Sequence, residues 1–211
     1  MTSTQELIHS LSSNVKPVRR LASPAKRALG WVALSVPAVV GVGMFMEAEP
    51  IVSARLAQMS VLVTLGACIA TSLCAVFAAM MLGVPGRSRA WIWLPVPPLL
   101  IWLGSFGRQC VLEWLGLVDG ELLAGPHLHC LPDIAMMTAI PTLAVVILAR
   151  GGAWFEQRLV LALGGLAAAA LANAALSLVH PQDAGLLVLI VQLLAVVGLS
   201  LILGRGSARA S

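Results

Sequence analysis

The residues best suited to chemistry in this sequence are thiols and imidazoles, gathered in one stretch and one turn. Cys110 and the run Gly125-Pro126-His127-Leu128-His129-Cys130-Leu131-Pro132-Asp133 lie between two long apolar segments, and His180 and Asp183 lie in a short turn further on. Thiolate and imidazole are ligands for zinc, cadmium and copper. A loop and a facing turn could bring His127, His129, Cys130 and His180 around one such ion. The same residues also fit a plainer arrangement, in which Cys110 and Cys130 form a structural disulfide in an oxidising compartment and the histidines cap or solvate the loop. Cys68 and Cys74 fall inside an apolar run and read as small packing residues. With four cysteines and no C-x-x-C pair, the chain has neither a disulfide scaffold nor zinc-finger spacing.

Composition sets the elements that must position these groups. Of 211 residues, 59% are apolar and 10% are charged, whereas a soluble domain carries about 25% charged residues. The chain lacks the groups to solvate a globular surface, which argues against a cytosolic enzyme. Six runs free of Lys, Arg, Asp and Glu extend from Gly30 to Met46, Leu56 to Gly83, Ala90 to Phe106, Ile134 to Ala149, Leu159 to Val179, and Ala184 to Leu203. Most approach or exceed the roughly 17 to 25 residues that a membrane-crossing helix needs. The expected fold is therefore all-α, a polytopic bundle of six transmembrane helices over residues 30–204. A cytoplasmic segment, 1–29, precedes it and a short tail, 205–211, follows. Pro95, Pro97 and Pro98 predict a kinked or partly unwound third span. The alanine-rich fifth span, with Gly164 and Gly165, is expected at the centre of the bundle, because small residues let helices approach closely. No apolar stretch precedes Gly30, so no cleavable signal peptide is expected.

Orientation follows from the basic residues, since Lys and Arg in short loops stay on the cytoplasmic side. Eleven of the 13 lie on one side of the predicted spans: Lys16, Arg19, Arg20, Lys26, Arg27, Arg87, Arg89, Arg150, Arg158, Arg205 and Arg209. Only Arg55 and Arg108 lie on the other, together with most of the acidic residues. Both termini are therefore expected in the cytoplasm, with outer loops at 47–55, 107–133 and 180–183. The net charge of +4 thus reads as topology, and no basic stripe with interleaved aromatics points to direct nucleic-acid contact.

The spans themselves carry no ionisable acid or base, which counts against pumps, proton-coupled carriers and intramembrane proteases. Their polar residues, Thr64, Thr71, Ser72, Thr138, Thr142, Asn173, Ser177 and Gln192, read as hydrogen bonds between helices. At the N-terminus, Leu7, Ile8, Leu11, Val15, Val18 and Leu21 recur at intervals of three or four, an amphipathic stretch interrupted at Pro17. Such a stretch can fill a groove on a partner or lie on the anionic inner leaflet with its five basic residues.

Several motifs together resemble one family. Glu6-Leu-Ile-His-Ser-Leu11, Pro17-Val-Arg-Arg-Leu21, Gly83-Val-Pro-Gly-Arg-Ser-Arg89, Cys130 ahead of the fourth span and His180-Pro-Gln-Asp183 after the alanine-rich span are similar to NrsF-type membrane anti-sigma factors. These are six-span proteins of Gram-negative bacteria that hold an extracytoplasmic-function sigma factor inactive at the inner membrane. The resemblance covers nearly the whole chain, and Val-Pro-Gly-Arg-Ser-Arg is its most specific element. It implies that the N-terminal segment binds the sigma factor; the helical spacing and the arginine pair there single out Leu7, Ile8, Leu11, Arg19 and Arg20 for that contact. It also implies that outer cysteines sense metal or oxidative stress, with Cys130, His180 and Cys110 as sensor residues. One departure stands out: the family usually has a cysteine just before the Pro-x-Asp turn, where this chain has His180. A disulfide between those two loops is therefore not available, whereas a Cys130 and His180 metal site is.

The expected function is a regulatory binding protein rather than an enzyme, with a sigma factor and the lipid bilayer as partners. It needs no cofactor, and a soft metal ion would enter only as the signal, at Cys130, His127, His129 and His180. Two other readings remain: a membrane thiol oxidoreductase using Cys110 and Cys130, weakened by the lack of C-x-x-C, and a small transporter, weakened by the uncharged spans.

Overall fold

The computed structural model describes residues 4–13, 21–45, 52, 56–114, 131–149, 157–179, 194 and 198, and among them every regular element is helical. The elements in chain order are α1 (Thr4–Ser13), α2 (Pro24–Phe45), α3 (Met59–Leu82), a 3-10 helix (Arg89–Trp93), α4 (Val96–Trp114), α5 (Leu131–Ala149) and α6 (Gln157–Val179). Where six spans are expected, three described helices are long and apolar enough to cross a membrane: Pro24–Met44, Met59–Leu82 and Arg158–Leu178. The described part of α5, Ala135–Leu148, is a shorter apolar helix. The expected sixth span, 184–203, lies outside the described stretches apart from positions 194 and 198.

Two helix starts differ from the sequence expectation. Helix α2 begins at Pro24, six residues before Gly30, because Ser23 and Pro24 form a start signal: the Lys26 amide donates to Ser23 Oγ at 3.4 Å, and proline fits the first helical position, where its missing N–H costs nothing. Lys26 and Arg27 thus belong to the helix and not to a preceding loop. The proline-rich third span is interrupted, as its prolines lead one to expect: the 3-10 helix ends at Trp93, Leu94 and Pro95 form a turn, and α4 starts at Val96. Pro97 and Pro98 fall in the first turn of α4, where the backbone donors they lack have no helical acceptor, and the Leu99 amide closes that turn onto the Pro95 carbonyl at 3.0 Å.

The link from α3 into this region accounts for the Val84-Pro85-Gly86-Arg87-Ser88 motif. Gly86 has φ of 79°, and the Arg87 amide donates to the Val84 carbonyl at 3.4 Å. With proline at the second position and a left-handed glycine at the third, this is a type II turn, which a side chain at Gly86 would strain. Ser88 then caps the 3-10 helix by accepting from the Ala90 amide at 3.2 Å. Trp91 packs edge-on against Phe77 of α3, ring centroids 5.7 Å apart.

Helix α6 is central, as its small residues lead one to expect. Ala167 to Ala170 and Ala172 are fully buried, and α6 packs closely along α3 and α5. A Cβ on Gly164 would fall 2.1 Å from Cγ1 of buried Val145 on α5. Only glycine permits that approach. Trp31 of α2, Ala75, Val76 and Met80 of α3, Ala144 and Val145 of α5, and Ala167 of α6 form one continuous core. The start of α2 lies beside the end of α5, and the end of α3 beside the start of α6, so these pairs are antiparallel. One end of the bundle gathers Leu82, Trp91, Ile92, Val160 and Leu163; towards the other, Val39, Met137 and Leu176 meet.

Polar groups lie inside and apolar groups outside. Ser72 Oγ donates across from α3 to the Ala167 carbonyl of α6 at 2.9 Å, and Asn173 Nδ2 donates to Cys68 Sγ at 3.4 Å. Thr71 and Ser177, expected to bond between helices, donate instead to carbonyls of their own helices, Ala67 at 2.7 Å and Ala174 at 2.8 Å. On the outside, Leu34, Val40 and Met44 of α2, Leu62, Ile69 and Leu73 of α3, and Met136, Ile140, Leu143 and Ile147 of α5 are exposed. The α5 residues recur every three or four positions and form a continuous apolar stripe along it. Exposed apolar surface of this extent is what a lipid-facing bundle presents.

Candidate functional site

Three places could carry function, and α1 is the first. Its ten residues, TQELIHSLSS, put Leu7, Ile8 and Leu11 on one side, since positions four apart stack on a helix. Leu7 is 55% and Ile8 60% exposed. More than half of the surface of these two adjacent aliphatic side chains is thus open, and covering it would stabilise contact with an apolar surface. Ser12 Oγ donates to the His9 carbonyl at 3.1 Å near the end of α1. The Leu11 side chain, Arg19 and Arg20, also expected to contact the partner, lie outside the described residues.

The second place is the root of α2, where Arg27 stands ahead of the uncharged run that starts at Gly30 and so outside the expected span. Arg27 is 4% exposed. Its Nε donates to the Leu148 carbonyl of α5 at 3.0 Å, and its Nη2 donates to the same oxygen. That carbonyl is among the last four of α5, which have no partner within the helix, and a cation there also meets the negative end of the helix dipole. Nη1 lies 3.7 Å from where a Cβ on Gly83 would stand and has no hydrogen-bond partner among the described residues. One turn further along α2, the buried Trp31 indole donates to the Pro141 carbonyl at 2.9 Å. Helices α2 and α5 are therefore joined by side-chain hydrogen bonds at two levels. The sequence signal that could have revealed this was the Ser23-Pro24 start, which places Arg27 in the first turn of a helix.

The third place is the far end of the bundle, where the thiols and imidazoles were expected to meet. Cys110 is helical, in the last two turns of α4, and not in a loop beginning at Gly107. The helix continues through Arg108 and Glu113 because backbone hydrogen bonding does not stop where hydropathy falls. Cys130, His127, His129 and His180 lie outside the described residues, and among the described residues no three of His, Cys, Asp and Glu come together as a metal site. Their described neighbours do share an end: Leu131, next to Cys130, begins α5, and Val179, next to His180, ends α6.

These features define a class: an all-helical protein with small and polar residues at its centre, apolar side chains on its surface and an exposed amphipathic helix at its N-terminus. The family model for NrsF, negative regulator of sigma F, matches residues 11–209, and the chain belongs to that family. Membership implies negative regulation of a sigma factor, with that factor as the partner. No curated protein and no solved structure matches the chain.

Proposed function

We propose that the protein is an anti-sigma factor of a bacterial inner membrane, crossing it six times with both termini in the cytoplasm, and that its N-terminal segment holds an extracytoplasmic-function sigma factor inactive. The observation that carries this reading is the exposure of Leu7 and Ile8 on a helix that precedes a lipid-compatible bundle. The family match begins at residue 11, so the assignment of binding to Leu7 and Ile8 rests on this exposure and on their spacing. Leu11, Arg19 and Arg20 extend the same segment, with the arginines pairing with acidic groups at the rim of the partner's groove. Deleting residues 2–15 should release the sigma factor and raise transcription of its targets without any stress. A truncated protein that accumulates normally and still represses would place the binding site elsewhere.

The signal in this reading is a soft metal ion or an oxidant acting on Cys130, assisted by His180, Cys110, His127 and His129. A thiolate and an imidazole at neighbouring helix ends would be drawn together by such an ion, shifting the helices that begin and end there. Cys130→Ser keeps the size but removes the soft ligand and the redox chemistry. Cells carrying it should stay repressed under cadmium or oxidant, as read by a target-promoter reporter. Normal induction would remove Cys130 from the mechanism and turn attention to Cys110 and His127.

A further inference from the structure

Helix α1 and the rest of the N-terminal segment enter the bundle at α2, so whatever fixes the first turn of α2 fixes where the segment emerges. That turn holds Ser23 as cap, Pro24, Lys26 exposed and Arg27 buried. We propose that Arg27 is the positioning residue of the sigma-binding segment: its guanidinium, forked onto the Leu148 carbonyl, seats the root of α2 against the end of α5. The proposal rests on the reading that the N-terminal segment binds the sigma factor, and it adds what holds that segment in the presentation that binds.

Three observations converge on Arg27. Among the described residues it is the one charged side chain that is buried, and its Nε and Nη2 both donate to a helix-end carbonyl that would otherwise lack a partner. Beside it α3 ends at its cap residue Gly83, and the guanidinium lies against that helix end, with Nη1 3.7 Å from where a Cβ on Gly83 would stand, an ordinary van der Waals distance. The Trp31 bond to Pro141 holds the same two helices together one turn deeper, so of these two bonded levels between α2 and α5 the Arg27 one is the outer. Loss of the outer bond alone would free the first turn of α2 while the core beneath stays packed.

The arrangement also gives α5 a mechanical meaning. It begins at Leu131 at one end of the bundle and presents the Leu148 carbonyl at the other, about 25 Å away at 1.5 Å per residue. A displacement of α5 along its axis would be felt directly at Arg27. Sigma-factor binding to the segment and seating of Arg27 are then linked equilibria, each favouring the other by the same coupling factor.

The experiment uses the full chain in lipid nanodiscs, with Arg27→Met, which keeps length and apolar bulk, and Arg27→Lys, which keeps the charge and one donor. Hydrogen exchange is read over residues 24–30 and over the α6 core, and affinity is measured for the sigma factor encoded with this protein. Arg27→Met should exchange faster at 24–30 with the α6 core unchanged, and should bind the sigma factor roughly tenfold more weakly, within the usual range for coupled sites. Arg27→Lys should recover part of both effects. Wild-type affinity in Arg27→Met overturns the proposal whether or not exchange rises. Weaker binding with unchanged exchange also overturns it, because Arg27 would then be a direct contact. If Arg27→Met does not accumulate, the lysine variant decides on the same two readouts. Deletion of residues 2–15 separates the two levels: if that deletion binds as wild type the proposed function fails, and if it abolishes binding while Arg27→Met binds normally only the positioning role fails.

Discussion

Replacing Gly164 by valine is expected to unfold or strongly loosen the bundle, the largest stability effect of any single substitution considered for this chain. A Cβ at this position would stand 2.1 Å from Val145 Cγ1, 3.0 Å from its Cγ2 and 3.1 Å from its Cβ. Contacts below about 3 Å must be relieved by movement, and Val145 offers little, because a β-branched side chain has few rotamers and this one is buried. Helices α5 and α6 would have to separate, opening the core that also holds Trp31, Met80 and Ala167. Overpacking of this kind costs about 1–3 kcal/mol, and valine, with two further methyl groups, belongs at or above the top of that range. Alanine makes the same clash but recovers up to about 1 kcal/mol in helix propensity, so Gly164→Ala should be the milder variant. Thermal unfolding in detergent micelles ranks the three proteins: wild type most stable, alanine lower, valine lowest. A valine variant melting with the wild type would mean that α5 and α6 do not pack at this separation. In cells the loss should appear as a lower steady-state level and therefore as derepression.

The central helices were legible in the sequence because hydropathy and side-chain size point the same way there. The run from Gly164 to Ala175 could only be a close-packing face, and Ser72 and Asn173 could only be tolerated inside with partners, which they have. What was not legible lies at helix ends. An uncharged window marks the apolar slab, while a helix is a ladder of backbone bonds that runs on past it. Helix α2 therefore starts at Pro24 and takes in Arg27, and α4 runs on through Cys110 to Trp114. The prolines of the third span marked its interruption but not its place, since their effect depends on whether they fall inside a helix or in its first turn: the break falls at Leu94 and Pro95, and Pro97 and Pro98 open α4. The exposure of Leu7 and Ile8 was implied by periodicity, and their open faces suit either occupant that the pattern allows, a groove on a partner or the inner leaflet.

Which end of the bundle faces the cytoplasm is the prediction on which the functional reading stands or falls. Arg27 and the 3-10 helix are attached to one end, with Arg87, Arg89 and Arg158 in the turn and helix start that meet there, and these belong to the 11 basic residues on one side among the 13 in the chain. Trp114, Phe45 and Leu131 close helices at the opposite end, and Asp119 lies five residues beyond Trp114. A bias this strong over short connections is sufficient to orient a polytopic protein. Alkaline phosphatase, which is active only outside the cytoplasm, should be active when fused after Asp119 and inactive when fused after Ser88. Equal activity at the two sites would show that α4 does not carry the chain from one side to the other, and with it would fall the six-span topology. The reversed pattern would place α1, with Leu7 and Ile8, on the side of the membrane where no sigma factor can reach it.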